Sequence, residues 1–323
     1  MYPPALLFIL AVALGAPTAE ATQPLALVYR GPSSCKGCSE AAATLLQSSP
    51  QNFSVTFVGP NEGTGISADV LSKAAAYVQP GGPDLTAAYN ELQDHAPEIR
   101  DFVNNGGRYL GFCLGAFLAG NSPGFDLLPS GASTDAERKM DNSQVTGTED
   151  TIIQVDWTFR TKVSAFSRGE TAKAQWIYFQ DGAVINGLPD DGNHTILGRY
   201  SQNGNVAASL TPYGKGWVAV TGPHPEAPKD WFFGPMSRLS FSLSADKAYR
   251  IENPDGMKFD IGYDFVNAAM EAGPVPTGTS GTGTAPRPTT SEESAWNSLG
   301  RGRGRITLQN PIGWLVRGLT RFR

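Results

Sequence analysis

One short stretch, residues 106–115 (GGRYLGFCLG), constrains the fold more than any other part of the chain. Its apolar residues around Leu110 predict a buried strand, and the glycines on either side of Cys113 predict a sharp turn directly after it. Glycines permit the backbone angles and close contacts of such a turn because they carry no Cβ. Residues 116–119 predict the first turn of a helix, whose amide dipoles would favour a thiolate at Cys113. The stretch therefore predicts either an exposed nucleophile or a small cysteine buried in the core.

Strand-like and helix-like segments alternate through the first third of the chain at the spacing of βαβ units. Strands are predicted at residues 25–29, 53–58, 77–79 and 108–112, and helices at residues 38–46, 68–76 and 85–104, the last interrupted at Pro97. This alternation predicts the α/β class, with an open, mainly parallel, doubly wound (flavodoxin-like) sheet and helices on both faces.

After residue 126 the pattern changes to strand-like runs separated by turns. Strands are predicted at residues 151–159, 174–179, 196–200, 206–210 and 217–221, and a last helix at residues 263–270. The SQNG sequence at residues 201–204 predicts a hairpin turn. The runs within residues 126–215 predict an antiparallel β extension packed on the parallel sheet, and residues 217–221 are a further apolar strand.

The two ends of the chain differ in composition from its body. Residues 1–21 predict a secretory signal peptide, because their apolar run is too short to span a bilayer and small residues precede a cleavage point before Thr22. Residues 273–323 predict a disordered linker and basic tail rich in Gly, Pro, Thr and Arg. We therefore expect a secreted protein with no transmembrane segment and one domain over residues 22–272.

The charge of the body limits the class of partner. Residues 22–272 contain 18 Lys and Arg against 27 Asp and Glu, whereas the residues from 273 onward contain 7 Arg against 2 Glu. An acidic body argues against a nucleic-acid partner. Two sequons, at Asn52 and Asn193, are predicted glycosylation sites in a chain that enters the secretory pathway.

The three cysteines of the chain are Cys35, Cys38 and Cys113. In an oxidising compartment the C-x-x-C pair is predicted to close a local disulfide, which leaves Cys113 as a candidate reactive thiol. Neither a metal nor a cofactor is expected, because the C-x-x-C motif has no second pair and the chain has three His. A thioredoxin-type redox role for the pair is a second interpretation, although the usual aromatic residue before the first cysteine is missing.

A cysteine hydrolase also needs a base and a group that orients the base. Pro225 biases His224 toward an extended backbone. Residues i and i+2 of an extended chain point to the same face, so the carboxylate of Glu226 is predicted to reach the imidazole. Both His224 and Cys113 follow predicted strands, which is where open α/β sheets place their sites.

Oxyanion donors are predicted from the backbone. The Gly81–Gly82 turn follows a predicted strand, so its amides and the amide of Leu114 could face one crevice. Taken singly, a buried histidine or a glycine turn is an ordinary structural feature. Their combination with Cys113 in this chain order indicates an active-site-like crevice, and we place His95 and His194 on the surface outside it.

These motifs carry a family resemblance. Residues 80–82 (PGG), 111–115 (GFCLG) and 214–226 (GKGWVAVTGPHPE) resemble the class I glutamine amidotransferase-like fold, and residues 27–32 (LVYRGP) and 106–113 (GGRYLGFC) resemble the N-terminal domain of eukaryotic biotin-protein ligases. The resemblance covers about residues 22–272. It implies Cys113 as nucleophile, His224 as base, Glu226 as the orienting group, and Gly82 and Leu114 as oxyanion donors.

The sequence departs from the resemblance at two places. Glutamine amidotransferases carry a Gln four residues after the cysteine, where it helps to hold the substrate glutamine, but this chain has Phe117. An aromatic ring cannot make those hydrogen bonds, so the substrate is not implied. Residues 300–315 keep the register of a biotin-binding loop but replace its usual polar residues, so they are either a remnant or a low-complexity tail, and we expect no biotinylation.

Three functional hypotheses follow. The first is a secreted cysteine-dependent amidohydrolase in which a thiolate attacks an amide or small peptide. The second is a non-catalytic binding module on the same fold, and the third is a cysteine peptidase.

Overall fold

A computed structural model describes residues 23–189, 191–232, 253, 254, 256 and 259–273. The predicted signal peptide and the predicted tail from residue 274 onward lie outside these residues. The described strands are β1 (Leu25–Tyr29), β2 (Ser54–Val58), β3 (Ala76–Gln79), β4 (Arg108–Phe112), β5 (Ser133–Ala136), β6 (Thr151–Thr158), β7 (Thr171–Phe179), β8 (Ala183–Asn186), β9 (Thr195–Tyr200), β10 (Val206–Tyr213) and β11 (Gly216–Thr221). The described helices are α1 (Cys38–Ser48), α2 (Ala68–Leu71), α3 (Leu85–Leu92), α4 (Ala96–Asn104), α5 (Leu114–Leu118) and α6 (Asp260–Glu271).

The strands form one large sheet in the order β2-β1-β3-β4-β11-β10-β9-β6-β7, with β8 beside β10 and β5 beside β8. The pairs from β2 to β11 are parallel. The pairs beyond β11 are antiparallel. The predicted α/β class is therefore confirmed, as a mixed sheet with a parallel and an antiparallel half.

The antiparallel half continues the parallel half instead of packing on its face, which differs from the expectation. Strand β10 ends at Tyr213 and β11 begins at Gly216, so a two-residue turn returns the chain beside itself. Gly214 in that turn has a φ of 58°, which glycine adopts without strain. The hairpin therefore hydrogen-bonds the antiparallel strands to the edge of the parallel ones.

Two apolar clusters lie on opposite faces of the parallel strands. Along β4, Leu110 and Phe112 pack into the cluster that contains α1 and α6, whereas Tyr109 packs into the cluster that contains α3, α4 and α5. Successive side chains of a strand point to opposite faces, so one strand serves both clusters. Burial on both faces explains why these strands are almost wholly apolar in sequence.

The helix predicted over residues 85–104 is divided into α3 and α4 by a 3₁₀ turn at Gln93–His95. Pro97 lies in the first turn of α4. Proline has no backbone N–H, and it fits in this turn because N–H groups at the start of a helix have no intrahelical acceptor.

None of the described helices is long and apolar enough to cross a membrane.

Asp264 anchors α6 to the end of β6. It is fully buried and accepts hydrogen bonds from Trp157 Nε1 at 2.9 Å, from the Arg160 amide at 3.0 Å, and from the amide and hydroxyl of Thr161 at 2.7 Å each. These donors satisfy a carboxylate that would otherwise be costly to bury. The contact holds α6 on the same face of the sheet as α1.

Candidate active site

Cys113 lies at the turn between β4 and α5. Its φ and ψ are 49° and −102°, a combination that costs a non-glycine residue conformational energy. Its amide donates to the Thr221 carbonyl of β11 at 2.8 Å, which holds the turn in place. A Cβ on Gly115 would collide with the Gln79 carbonyl of β3, so only glycine fits at this position of the motif. The strain therefore falls on the cysteine itself, as at a nucleophile turn.

The thiol of Cys113 is largely covered. The residue is 8% exposed, and Sγ donates to the Gln180 carbonyl at 3.5 Å. That carbonyl lies in the turn between β7 and β8. Helix α5 contains only five residues, so its dipole supplies little of the charge that would favour a thiolate.

His224 and Glu226 lie together in the same crevice. The distance between His224 Nδ1 and Glu226 Oε1 is 2.8 Å, and both residues are buried. The backbone amide of His224 donates to the Tyr178 carbonyl at 2.9 Å, which joins this segment to β7. Within the described part of the chain, Glu226 Oε2 has no hydrogen-bond partner. The imidazole is therefore fixed by one carboxylate oxygen and by its own backbone.

The environment of His224 favours the protonated ring. Burial acts to lower the pKa of His224, but the charges of Glu226 and Cys113 and their hydrogen bonds to the ring outweigh it and raise the pKa to about 10. Because Glu226 occupies Nδ1, the nitrogen left for Cys113 is Nε2. His224 is thus placed to carry a positive charge next to Cys113.

The Gly81–Gly82 turn forms a further wall of the crevice. A Cβ on Gly81 would lie 2.7 Å from His224 Cε1 and 3.3 Å from Cys38 Sγ. A Cβ on Gly82 would lie 2.5 Å from Leu114 Cδ2. Among the described residues, no acceptor is bonded to the amide of Gly82 or of Leu114. Gly82 and Leu114 contact one another, so both amides lie next to the thiol-bearing turn.

The predicted disulfide between Cys35 and Cys38 is present, in the loop that follows β1. The Cys35 amide donates to the Gly81 carbonyl at 2.9 Å. Gln79 Nε2 donates to the Ser33 carbonyl at 3.1 Å. The disulfide loop is thereby attached to the glycine turn of the crevice.

Sequence reasoning missed two aromatic residues and one carbonyl. The rings of Trp231 and Tyr178 lie edge-to-face with the imidazole of His224, at centroid distances of 5.3 and 5.8 Å. Trp231 lies five residues after Glu226 in a proline-rich segment. A large aromatic residue so close to the candidate base is the sequence signal that could have placed it beside the imidazole. The Gln180 carbonyl carries no sequence signal, because its position depends on the turn between β7 and β8.

Other predicted residues lie outside this crevice. Asn52 and Asn193 are exposed, and their glycosylation stays a prediction. His95 and His194 pair with Glu98 and Asp191. Phe117 is half-buried against the cluster of α3, α4 and α5.

Comparison with known proteins gives both sequence and structural likenesses. A biotin–protein ligase from Schizosaccharomyces pombe is 26% identical over 163 residues, which are 48% of this chain and 26% of that protein. The chain thus corresponds to about a quarter of that relative's length.

Solved structures resemble the chain more distantly. A glutamine amidotransferase is 14% identical with a TM-score of 0.43, covering 62% of this chain and 90% of that one. A ThuA-like protein from Bacteroides uniformis is 13% identical with a TM-score of 0.40, covering 65% and 86%. Likenesses at this level say nothing about activity.

The family itself is established by sequence. Residues 25–242 match the family described as "Biotin-protein ligase, N terminal". This region contains β1 to β11 and the residues of the crevice described above. Because the match extends over more than half of the 323 residues, the chain belongs to the biotin-protein ligase N-terminal family.

Proposed function

We propose that this protein is a secreted cysteine-dependent amidohydrolase that cleaves an amide or small peptide. The observation that carries the proposal is the buried His224–Glu226 contact of 2.8 Å beside a cysteine at a strained turn. Nucleophile, base and orienting group are the minimum set for covalent acyl transfer through sulfur. A likeness to a ligase family does not itself imply this reaction, so the proposal rests on the site.

In the first half of the reaction, the Cys113 thiolate attacks the carbonyl carbon of the amide. A C–S bond forms, and the carbonyl π electrons move to oxygen, where the amides of Gly82 and Leu114 stabilise the oxyanion. When the intermediate collapses, the C–N bond breaks and Nε2 of the His224 imidazolium gives its proton to the departing nitrogen. The products of this half are a free amine and a thioester on Cys113.

In the second half, water replaces the amine. The now neutral His224 accepts a proton from the water as its oxygen attacks the thioester carbonyl. The C–S bond then breaks, which releases a carboxylic acid and restores the thiolate beside the imidazolium. Glu226 holds the ring in one orientation throughout and favours its charged form.

Several finer assignments belong to the same proposal. The domain extends over residues 22–272 as an open, doubly wound domain with an antiparallel extension. It follows a signal peptide at residues 1–21 and precedes a linker and basic tail at residues 273–323. The sequons at Asn52 and Asn193 are glycosylated in the secreted protein.

The proposal is tested by trapping the thioester. Purified protein is mixed with a library of activated amides and short peptides, quenched in acid within milliseconds to seconds, and its mass is measured. We expect an acyl adduct on the peptide that contains Cys113, decaying as free acid appears. The Cys113→Ser variant, with the same melting temperature, should carry no such thioester.

A second candidate is a non-catalytic binding module, which is favoured by the cover over Cys113. The thiol is 8% exposed and is bonded to Gln180. Under this alternative, wild type and Cys113→Ser bind the same library members equally well by calorimetry, and neither forms an adduct nor releases acid. That result would contradict the amidohydrolase. Cleavage confined to internal peptide bonds would instead identify a cysteine peptidase.

A further inference from the structure

The two cysteines of the Cys35–Cys38 disulfide differ in their exposure to solvent. Cys38 is the first residue of the 11-residue helix α1 and is 1% exposed. Cys35 lies in the preceding loop and is half-buried. An attacking thiol can therefore approach Cys35, whereas Cys38 is held inside.

The shielded sulfur lies beside the candidate catalytic histidine. If Gly81 carried a Cβ, that atom would lie 3.3 Å from Cys38 Sγ and 2.7 Å from His224 Cε1. The disulfide and the imidazole therefore lie on the same side of Gly81. The two sites share one wall of the crevice, since the Cys35 amide also binds the Gly81 carbonyl.

Positive charge lies close to Cys38. The amides at the start of α1 provide partial positive charge, and the His224 ring adds a full charge when protonated. Glu226 lies on the Nδ1 side of the ring. Glu40, in the first turn of α1, is exposed and pairs with Arg30. A developing negative charge on Cys38 therefore faces the start of α1 and the His224 ring, and it shares the charge of that ring with Glu226 and Cys113.

The disulfide is poorly suited to act as a structural staple. It closes a loop of four residues, and the stabilisation from a cross-link falls as the loop shortens. Contacts that involve no sulfur also hold the loop, namely Gln79 to Ser33 and Cys35 to Gly81. The native fold should therefore tolerate the dithiol.

We infer that Cys35 and Cys38 are a redox-active pair that exchanges with small or protein thiols beside the candidate active site. An external thiolate attacks Cys35 Sγ, the disulfide bond breaks, and its electron pair leaves on Cys38 Sγ. A second thiolate attacks the external sulfur of the mixed disulfide and releases Cys35. Overall the protein disulfide gains two electrons, the external thiols become a disulfide, and solvent protons balance the charge.

The inference is tested by equilibrating the native full-length chain with mixtures of reduced and oxidised glutathione. After acid quenching and alkylation, peptide mass gives the reduced fraction of the pair. We expect wild type to be reduced without loss of fold, and His224→Gln to need about tenfold more reduced glutathione for the same fraction. His95→Gln, which removes a surface histidine, should match wild type.

Two single variants test the roles of the sulfurs even if His224→Gln does not fold. Cys38→Ser should accumulate a glutathione adduct on Cys35. Cys35→Ser, whose remaining sulfur is shielded, should not. A pair that is reduced only above the denaturation midpoint, a reversed adduct pattern, or equal equilibria in wild type and a folded His224→Gln would overturn the inference. These readouts require no amide turnover, so they fail independently of the amidohydrolase proposal.

Discussion

Replacement of Asp264 by Ala should lower the free energy of unfolding by about 3–5 kcal/mol. The carboxylate of Asp264 is fully buried and accepts from Trp157, Arg160 and Thr161. Removal of the carboxylate leaves these donors without an acceptor in a place that water cannot readily reach, which costs more than the bonds themselves contribute. Urea unfolding followed by circular dichroism measures the loss.

Asp260 provides the matched control, since it lies in the same helix. Its carboxylate accepts one exposed hydrogen bond, from Ser164 Oγ at 2.6 Å. Asp260→Ala should therefore cost only about 1 kcal/mol. Equal losses for the two variants would show that Asp264 is not the anchor of α6. Asp264→Asn, which keeps one acceptor oxygen, should fall between them and provides a folded variant if alanine is not tolerated.

Replacement of Gly81 by Ala should slow acylation of Cys113 about 100-fold in kcat/KM. The new Cβ would lie 2.7 Å from His224 Cε1, so one of the two must move. The same Cβ would lie 3.3 Å from Cys38 Sγ, so the disulfide limits how far the glycine turn can move away from the ring. The ring is the part that yields, and displacement by a fraction of an ångström misaligns it with the thiol. The rate is measured with the amide that forms the trapped adduct.

Gly63 supplies the control for this substitution. A Cβ at Gly63 meets no atom within 4 Å, so Gly63→Ala should keep the wild-type acylation rate. Melting temperatures of both variants separate a local effect from a loss of fold. If Gly81→Ala acylates Cys113 as fast as Gly63→Ala does, the imidazole at its observed position has no part in the chemistry.

The features that could be predicted from the sequence depend on local rules. The contact between His224 and Glu226 follows from the alternation of side chains in an extended chain, so three residues of sequence are enough. Strand β4 and the turn at Cys113 follow from an apolar run that ends in flanking glycines. The family resemblance is confirmed over residues 25–242 for the same reason, because its motifs are short and contiguous.

The features that could not be predicted depend on contacts between distant parts of the chain. Asp264 binds donors that lie about a hundred residues earlier, and nothing near it in sequence distinguishes it from a surface aspartate. Strands β5 and β8 pair mainly with one another, and each has only four residues. A strand of that length is too short to show an alternation of apolar and polar residues. The cover that Gln180 places over Cys113 is a backbone contact and leaves no side-chain signature.

The proposed reaction requires that His224 hold Cys113 in its reactive form. The pKa of His224 is raised to about 10, so the ring stays protonated in the folded protein between pH 6.5, where a free imidazole titrates, and about 10. We expect this positive charge to favour the thiolate of Cys113, and only the thiolate reacts with alkylating agents. The stabilisation from the pair is lost as the pH rises through the raised pKa.

The most direct test is the rate of iodoacetamide labelling of Cys113 between pH 6 and pH 9, in wild type and in His224→Gln. We expect the wild-type rate to change only a few-fold over this range, and the rate of the variant to rise steeply with pH and to lie at least about tenfold below wild type at pH 6. His95→Gln should follow wild type. If wild type and His224→Gln rise together with pH along the same steep curve, the thiol is unassisted and His224 has no part in activating it.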